Sequence, residues 1–148
     1  MKCFRIFSIA CWFLLLSVRL VGQAETEIVP VEDNQTIIKS IFFGGGSSYI
    51  DEKQAAELRD FIYAVENINR YEVLVHSFTD NIGSKAYNQW LSQQRSEAVI
   101  WELEQLDIPI DLMLRADFGE ENPIYSNRTF EGQLRNRRVD VILRPLSF

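Results

Sequence analysis

Apolar residues recur with the spacing of an α-helix in two stretches of the chain. The first stretch follows Asp51, which can cap a helix, with Gln54 three residues later as in a capping box. Its apolar positions are Ala55, Leu58, Phe61, Ile62, Val65 and Ile68. The apolar positions of the second stretch, which ends before Pro109, include Leu91, Ala98, Val99, Leu103 and Leu106. We therefore predict two amphipathic helices, at about residues 51–68 and 84–106.

Four shorter runs are rich in β-branched and aromatic residues, which is typical of strands. They cover about residues 37–43, 71–78, 112–117 and 139–143. Gly44 to Gly46 follow the first run, and because no Gly-Lys-Ser/Thr comes after them we interpret them as a flexible strand-to-helix loop rather than a phosphate site. Residues 119–132 are rich in turn formers and predict a loop. The order of elements predicts an α+β sandwich with helices packed on one face of a mixed β-sheet.

The N-terminal segment has a different composition from the rest of the chain. Two basic residues precede a mostly apolar run at residues 6–18, and small residues lead up to Ala24. This is the layout of a secretory signal peptide, so residues 1–24 are expected to be removed on export to the periplasm, with an uncleaved membrane anchor as the alternative. Residues 25–36 are polar and acidic and predict a short linker. Residues 37–148 would then form a single domain.

Charge and composition exclude several classes of function. The 148-residue chain has 15 basic and 21 acidic residues, and loss of the signal would leave 12 basic residues and a net charge of −9. An acidic chain of this kind is a poor general binder of nucleic acid or of anionic membranes. Cys3 and Cys11 both lie in the signal, and His76 is the sole histidine. We therefore expect no metal site, no cofactor and no enzymatic activity.

Three polar segments carry the clearest functional signal. In chain order they are Thr79-Asp80-Asn81-Ile82-Gly83, Tyr87-Asn88-x-x-Leu91-Ser92-x-x-Arg95, and Asn127-x-Thr129-x-Glu131-Gly132 with Asn136-Arg137-Arg138-Val139. They follow the second predicted strand, lie on the second predicted helix and lead into the last strand. In this order the segments resemble the OmpA C-terminal-like family, which includes the peptidoglycan-associated lipoprotein and the flagellar motor protein MotB. The resemblance runs from about Ile38 to Leu143.

The resemblance implies a βαβαββ domain of the Gram-negative cell envelope that binds peptidoglycan without covalent attachment. The ligand it implies is the meso-diaminopimelate of the stem peptide. The family aspartate and arginine that hold this amino acid fall on Asp80 and Arg95, and the family's basic pair falls on Arg137 and Arg138. The positions that match the rest of the pocket lining are Thr79, Asn88 and Leu91. Because neighbouring strand residues face opposite sides of a sheet, Arg138 is favoured over Arg137, although the sequence leaves open which of the two enters the pocket.

The chemistry of the ligand agrees with this set of residues. Diaminopimelate presents an ammonium and a carboxylate together, which a fixed carboxylate and a fixed guanidinium complement. Asn88, Leu91 and Arg95 are spaced to share one face of a helix. The alternative for Asp80 and Arg95 is a structural ion pair. The alternative function is a protein-interaction domain of a secretion, motility or envelope complex, with weakened wall binding. A wall hydrolase is a third class of function, which the sequence disfavours because no nucleophile–base pair is evident.

The chain departs from the family pattern at a few positions. Ser77-Phe78 replaces Gly-His before Thr-Asp, and Ser96 replaces a helix alanine. Asp117 lies in the segment that replaces Gly-x-Gly, and Gln133 replaces an arginine after Glu-Gly. None of these changes removes Asp80 or Arg95. We expect a diverged member of the family, with a less basic rim at Gln133.

Overall fold

The computed structural model describes residues 35–146, so the predicted signal peptide and most of the predicted linker lie outside the described residues. The four strands are β1 (Ile37–Phe42), β2 (Tyr71–Phe78), β3 (Met113–Gly119) and β4 (Arg138–Pro145). The helices are α1 (Glu52–Tyr63), α2 (Lys85–Glu104) and α3 (Phe130–Asn136). The four predicted strands and the two long helices are confirmed, with shifts at their ends. Among residues 35–146, no helix combines the length and the apolar character that crossing a bilayer requires.

The strands form one mixed sheet in the order β1-β4-β2-β3. The last strand, β4, lies in the middle of the sheet and runs antiparallel to both β1 and β2. β2 and β3 are parallel, and α2 is the connection between them. This arrangement brings the ends of β2 and β3 and the start of β4 to one edge of the sheet, where the three polar segments of the sequence also lie.

One face of the sheet packs against α1 and α2. The strands contribute alternate residues to this core, including Val73 and Val75 from β2 and Val139, Val141 and Leu143 from β4. The helices contribute Leu58 and Ile62 from α1 and Val99 and Leu103 from α2. The alternation follows from the two-residue period of a strand, so the residues between these face the other side of the sheet. The predicted α+β sandwich, with helices on one face of a mixed sheet, is therefore confirmed.

The first helix is shorter than its apolar period predicts. α1 ends at Tyr63, and a short 3-10 turn at Ile68–Arg70 leads into β2. Between them Asn67 has a left-handed backbone with φ of 56°, which a helix does not tolerate. Val65 and Ile68 still pack against the core. The apolar spacing continues past the helix because these two partly buried side chains still pack against the core after the helix has ended.

The prediction of a loop over residues 119–132 is wrong at its C-terminal end, because α3 begins at Phe130. Thr129 caps this helix, and its Oγ1 accepts a hydrogen bond from the backbone N–H of Gly132 at 3.1 Å. A Cβ added to Gly132 would lie 2.0 Å from the carbonyl oxygen of Ser126, so the turn before the helix requires glycine. The seven-residue helix is too short to show an apolar period, which explains why the sequence pattern did not reveal it.

Candidate ligand-binding site

Asp80 lies in the turn that follows β2 at the polar edge of the sheet. The backbone N–H of Thr79 donates to the carbonyl of Gly119 at 2.7 Å, which extends the pairing of β2 with β3 by one residue. The hydroxyl of Thr79 donates to the carbonyl of Asp80 at 2.8 Å. Asp80 Oδ1 accepts from the backbone N–H of Ile82 at 3.3 Å, and only 6% of the residue is exposed. These contacts hold the Asp80 carboxylate in one position.

Arg137 is the partner of that carboxylate. Its Nε lies 2.7 Å from Asp80 Oδ2, and both side chains are about nine-tenths buried. Arg137 follows α3 directly and precedes β4, and its carbonyl accepts from the backbone N–H of Phe43 at 2.8 Å. Gly45 packs closely on the guanidinium, because a Cβ added there would lie 3.2 Å from Arg137 Nη1. The glycine loop after β1 therefore leaves room for this arginine.

Arg95 of α2 is buried behind the ion pair, with 1% of the residue exposed. It donates to three backbone carbonyls: Nε to Ser47 at 2.9 Å, Nη2 to Gly44 at 2.9 Å and Nη1 to Phe78 at 3.1 Å. Burial lowers the pKa of Arg95 to about 10, although the nearby charge of Asp80 opposes this shift. The side chain thus keeps its positive charge at neutral pH. Arg95 ties the glycine loop to the end of β2 and supplies positive charge close to Asp80.

Arg138 lies apart from this group. It faces the side of the sheet opposite α1 and α2, where its Nε pairs with Asp140 at 3.0 Å and its guanidinium stacks over the ring of Phe78 at 4.2 Å. Ser40 of β1 donates to the same Asp140 carboxylate at 2.6 Å. Of the two adjacent arginines, the structure therefore brings only Arg137 to Asp80.

Asn88 and Leu91 are on the first turns of α2, which begins after Ser84; the Ser84 hydroxyl accepts from the backbone N–H of Tyr87 at 3.2 Å. Both residues are buried. Asn88 Nδ2 donates to Glu120 at 2.6 Å, whereas Asn88 Oδ1 is buried without a hydrogen-bond partner. That oxygen would lie 3.5 Å from a Cβ added to Gly83, so it faces the turn that begins at Asp80.

Two of the departures from the family pattern meet in one contact. Ser96 Oγ of α2 lies 2.5 Å from Asp117 Oδ1 of β3. Asp117 also pairs with Arg115 at 3.0 Å. The serine thus gives the Asp117 carboxylate a second partner, on the facing helix. These changes adjust the packing of α2 on β3 and leave Asp80 and Arg137 in place.

Gln133 also has a defined role at the rim. Its Nε2 donates to Asn81 Oδ1 at 3.3 Å and to the carbonyl of Asn127 at 3.1 Å. This neutral side chain therefore links α3 to the turn that holds Asp80. Phe78, which stands where the family has histidine, stacks on Phe118 with ring centroids 5.0 Å apart. The lower positive charge expected at Gln133, and its effect on binding, stay predictions.

Sequence reasoning missed three contributors to the site. They are the loop from Gly44 to Ser47 that Arg95 holds, Glu120 that pairs with Asn88, and Gln133 as a link to the Asp80 turn. The glycine run was a visible signal, because a buried arginine needs several acceptors and a glycine-rich loop exposes its carbonyls. In the described part of the chain, no group of three His, Cys, Asp or Glu side chains could hold a metal ion. The arrangement places one carboxylate and one guanidinium side by side at the end of the sheet, with the buried Arg95 guanidinium behind them.

These features define the class of the protein. The profile of the OmpA family matches residues 42–137, which is more than half of the chain. The chain therefore belongs to the OmpA family. Its fold is similar to that of the peptidoglycan-associated lipoprotein from Burkholderia pseudomallei, with a TM-score of 0.66 and 25% sequence identity. That similarity covers 72% of this chain and 90% of the lipoprotein chain.

Individual relatives share this domain. The chain is 31% identical over 107 residues to the probable lipoprotein YiaD of Escherichia coli strain K12, a match that covers 72% of this chain and 49% of YiaD. It is 38% identical over 71 residues to the peptidoglycan-binding protein ArfA of Mycobacterium tuberculosis, which covers 48% of this chain and 22% of ArfA. The chain thus spans about half of YiaD and a smaller part of ArfA.

Proposed function

We propose that the protein binds peptidoglycan in the cell envelope through the meso-diaminopimelate of the stem peptide. The observation that carries the proposal is the Asp80–Arg137 ion pair, which lies at the sheet edge and beside a loop that Arg95 fixes. The names of two relatives support the ligand class, since one is a peptidoglycan-associated lipoprotein and another a peptidoglycan-binding protein. We further propose that the predicted signal peptide exports the protein to the periplasm.

The ion pair suits exchange with a zwitterionic ligand. The free end of diaminopimelate has one ammonium and one carboxylate, so the ammonium would bind Asp80 and the carboxylate would bind Arg137. One protein ion pair is then replaced by two ion pairs with the ligand. The planar fork of an arginine can hold a carboxylate through two parallel hydrogen bonds. Charge-assisted hydrogen bonds contribute roughly 1.5–3 kcal/mol each, so one stem peptide binds modestly and the many stems of a wall prolong retention.

The remaining side chains would support these two contacts. Arg95 acts as a positioning residue, since it holds the Gly44 and Ser47 carbonyls and adds positive charge behind Arg137. Thr79 fixes the backbone of Asp80. Asn88 Oδ1 is a buried acceptor without a partner, and an ammonium has three N–H groups to donate. Leu91 contributes apolar contact from the same helix face. Arg138, which pairs with Asp140, has no part in this proposal.

Two stem peptides test the proposal directly. Calorimetry would compare a tripeptide that ends in diaminopimelate with one that ends in lysine, which keeps the ammonium but lacks the carboxylate. We expect at least a roughly tenfold weaker affinity for the lysine peptide, because Arg137 would lose its charged partner. Equal affinities would refute recognition of diaminopimelate.

Pelleting with purified sacculi tests the site residues. The double variant Asp80→Asn with Arg137→Gln should remain in the supernatant. Arg144→Gln is a matched control, because it also removes an arginine from an ion pair, here with Glu72 at the far end of β4 from Arg137. If the double variant pellets as well as the control, the assigned site is wrong. If the wild type ignores sacculi and instead captures an envelope protein, the domain is an interaction module.

A further inference from the structure

Two exposed aromatic side chains lie beside the proposed site, at the start of α2. The rings of Tyr87 and Trp90 have centroids 5.7 Å apart and are inclined by 36°. About half of Trp90 is exposed, at 51%. The adjacent residue Asn88 is buried and faces the Asp80 turn. The first turns of α2 therefore have a buried polar face and, beside it, an exposed aromatic face.

Tyr87 joins the aromatic pair to the site. A Cβ added to Gly46 would lie 3.2 Å from the Tyr87 hydroxyl, and one added to Gly83 would lie 3.0 Å from Tyr87 Cδ1. Gly46 belongs to the loop that Arg95 fixes, and Gly83 belongs to the turn that begins at Asp80. The Tyr87 ring thus fills the space between the two segments that frame the site, and Trp90 continues the surface outward.

We infer that Tyr87 and Trp90 form an aromatic surface that stacks against the sugar rings of the peptidoglycan strand. This inference rests on the proposed function. A pyranose ring has a face of C–H groups, and a flat indole or phenol removes that face from water without giving up its own polar tip. The N-acetylated sugars of the glycan backbone are joined to the stem peptide through the lactyl group of muramic acid, so a bound stem peptide brings a sugar close to the site.

The distances along the helix agree with this occupant. Trp90 and Tyr87 precede Arg95 by five and eight residues, which is about 8 Å and 12 Å along the axis. Diaminopimelate is the third residue of the stem, and three extended residues span roughly 10 Å. The stem is therefore long enough to bring its first sugar to Tyr87, the ring that contacts the site segments, when the diaminopimelate end is held by Asp80 and Arg137.

Trp101 provides a matched control on the same helix. It is exposed to a similar extent, at 56%, and it follows Trp90 by eleven residues. Eleven residues are close to three helical turns, so Trp101 lies on the same face but about 16 Å further along the helix. A general effect of removing an exposed indole from α2 would appear in both variants, whereas a contact with sugar would appear only at Trp90.

The experiment compares a tripeptide that ends in diaminopimelate with the same tripeptide carrying its N-acetylglucosamine–N-acetylmuramic acid disaccharide. We expect the wild type to bind the disaccharide form about fivefold more tightly. Trp90→Ala should lose that gain and bind the bare tripeptide unchanged, and Trp101→Ala should behave as wild type. Thermal melts would check that both variants fold equally well.

Each result has a distinct meaning. Equal affinity of the Trp90→Ala and Trp101→Ala variants for the disaccharide form would overturn the glycan contact while leaving the peptide site intact. Loss of sacculus binding by Trp90→Ala, with its affinity for the disaccharide form unchanged, would also overturn it and assign the surface to another component of the wall. Failure of the wild type to bind the bare tripeptide would instead refute the proposed function itself.

Discussion

Arg137 and Asp80 form an ion pair at 2.7 Å although 57 residues separate them in the sequence. The next residue, Arg138, lies on the side of the sheet opposite α1 and α2 and pairs with Asp140. The change of direction occurs because Arg137 follows the last turn of α3, whereas Arg138 is the first residue of β4. Two neighbouring arginines therefore have different environments and different expected roles.

Alanine at each of these two arginines should separate binding from stability. Arg138→Ala should lower the free energy of unfolding by about 3 kcal/mol, because it leaves the mostly buried Asp140 carboxylate without its cation. Arg137→Ala should cost less stability, because the charge of Arg95 still lies near the Asp80 carboxylate, and it should abolish retention by sacculi. Urea denaturation and sacculus pelleting of both variants check this. The same loss of binding in folded Arg138→Ala would contradict the division of roles.

Arg95→Lys should destabilise the domain although it keeps the positive charge. One ammonium cannot reproduce the fork that reaches the carbonyls of Gly44, Ser47 and Phe78, so at least one buried acceptor loses its partner. We expect a loss of about 2 kcal/mol in the free energy of unfolding. Urea denaturation measures this loss. Arg135→Lys is the control, because the Arg135 side chain is half-exposed, and we expect it to change the free energy of unfolding by less than about 0.5 kcal/mol. Equal midpoints for the two variants would show that Arg95 does not hold the loop.

Gly132→Ala should disturb the start of α3. The added Cβ would lie 2.0 Å from the Ser126 carbonyl oxygen, so the backbone must move. We expect a loss of about 2 kcal/mol in the free energy of unfolding. Gly44→Ala is the control, because the nearest atom to its Cβ would be 3.8 Å away. Thermal or urea unfolding measures the stability of both variants. If Gly132→Ala were as stable as Gly44→Ala and wild type, the close contact at Gly132 would be refuted.

His76 should make the domain less stable in mild acid. Burial lowers the pKa of His76 below its usual value of 6.5, although Asp140 opposes this shift. The unfolded chain therefore takes up a proton at a higher pH than the folded one, and stability falls as the pH drops below about 6.5 towards the folded-state pKa.

The variant His76→Gln isolates this effect, because the chain has no other histidine. Urea unfolding at pH 7.5 and at pH 5.5 should show a smaller loss of stability in the variant than in wild type (about two pH units bracket the titration of an ordinary histidine). Identical pH dependence in both proteins would mean that His76 titrates alike in the folded and unfolded states.

Much of the fold was predictable because its signals are local. The strand alternation of Val73 and Val75, and the helical spacing of Val99 and Leu103, depend only on which face of an element is buried. The exceptions were the early end of α1 and the existence of α3. The left-handed Asn67 ends any continuation of α1, and the close turn at Gly132 sets the start of α3. Neither feature produces a regular spacing of apolar residues, so neither can be seen in the sequence pattern.

The sequence by itself determined the family, the position of Asp80 after β2 and the position of Arg95 on the inner face of α2. Only the tertiary structure decided that Arg137 pairs with Asp80, that Arg138 does not, and that Arg95 holds the glycine loop. The reason is physical. Periodicity reports burial along one element, but the partner of a charged side chain depends on which distant segments meet at the edge of the sheet.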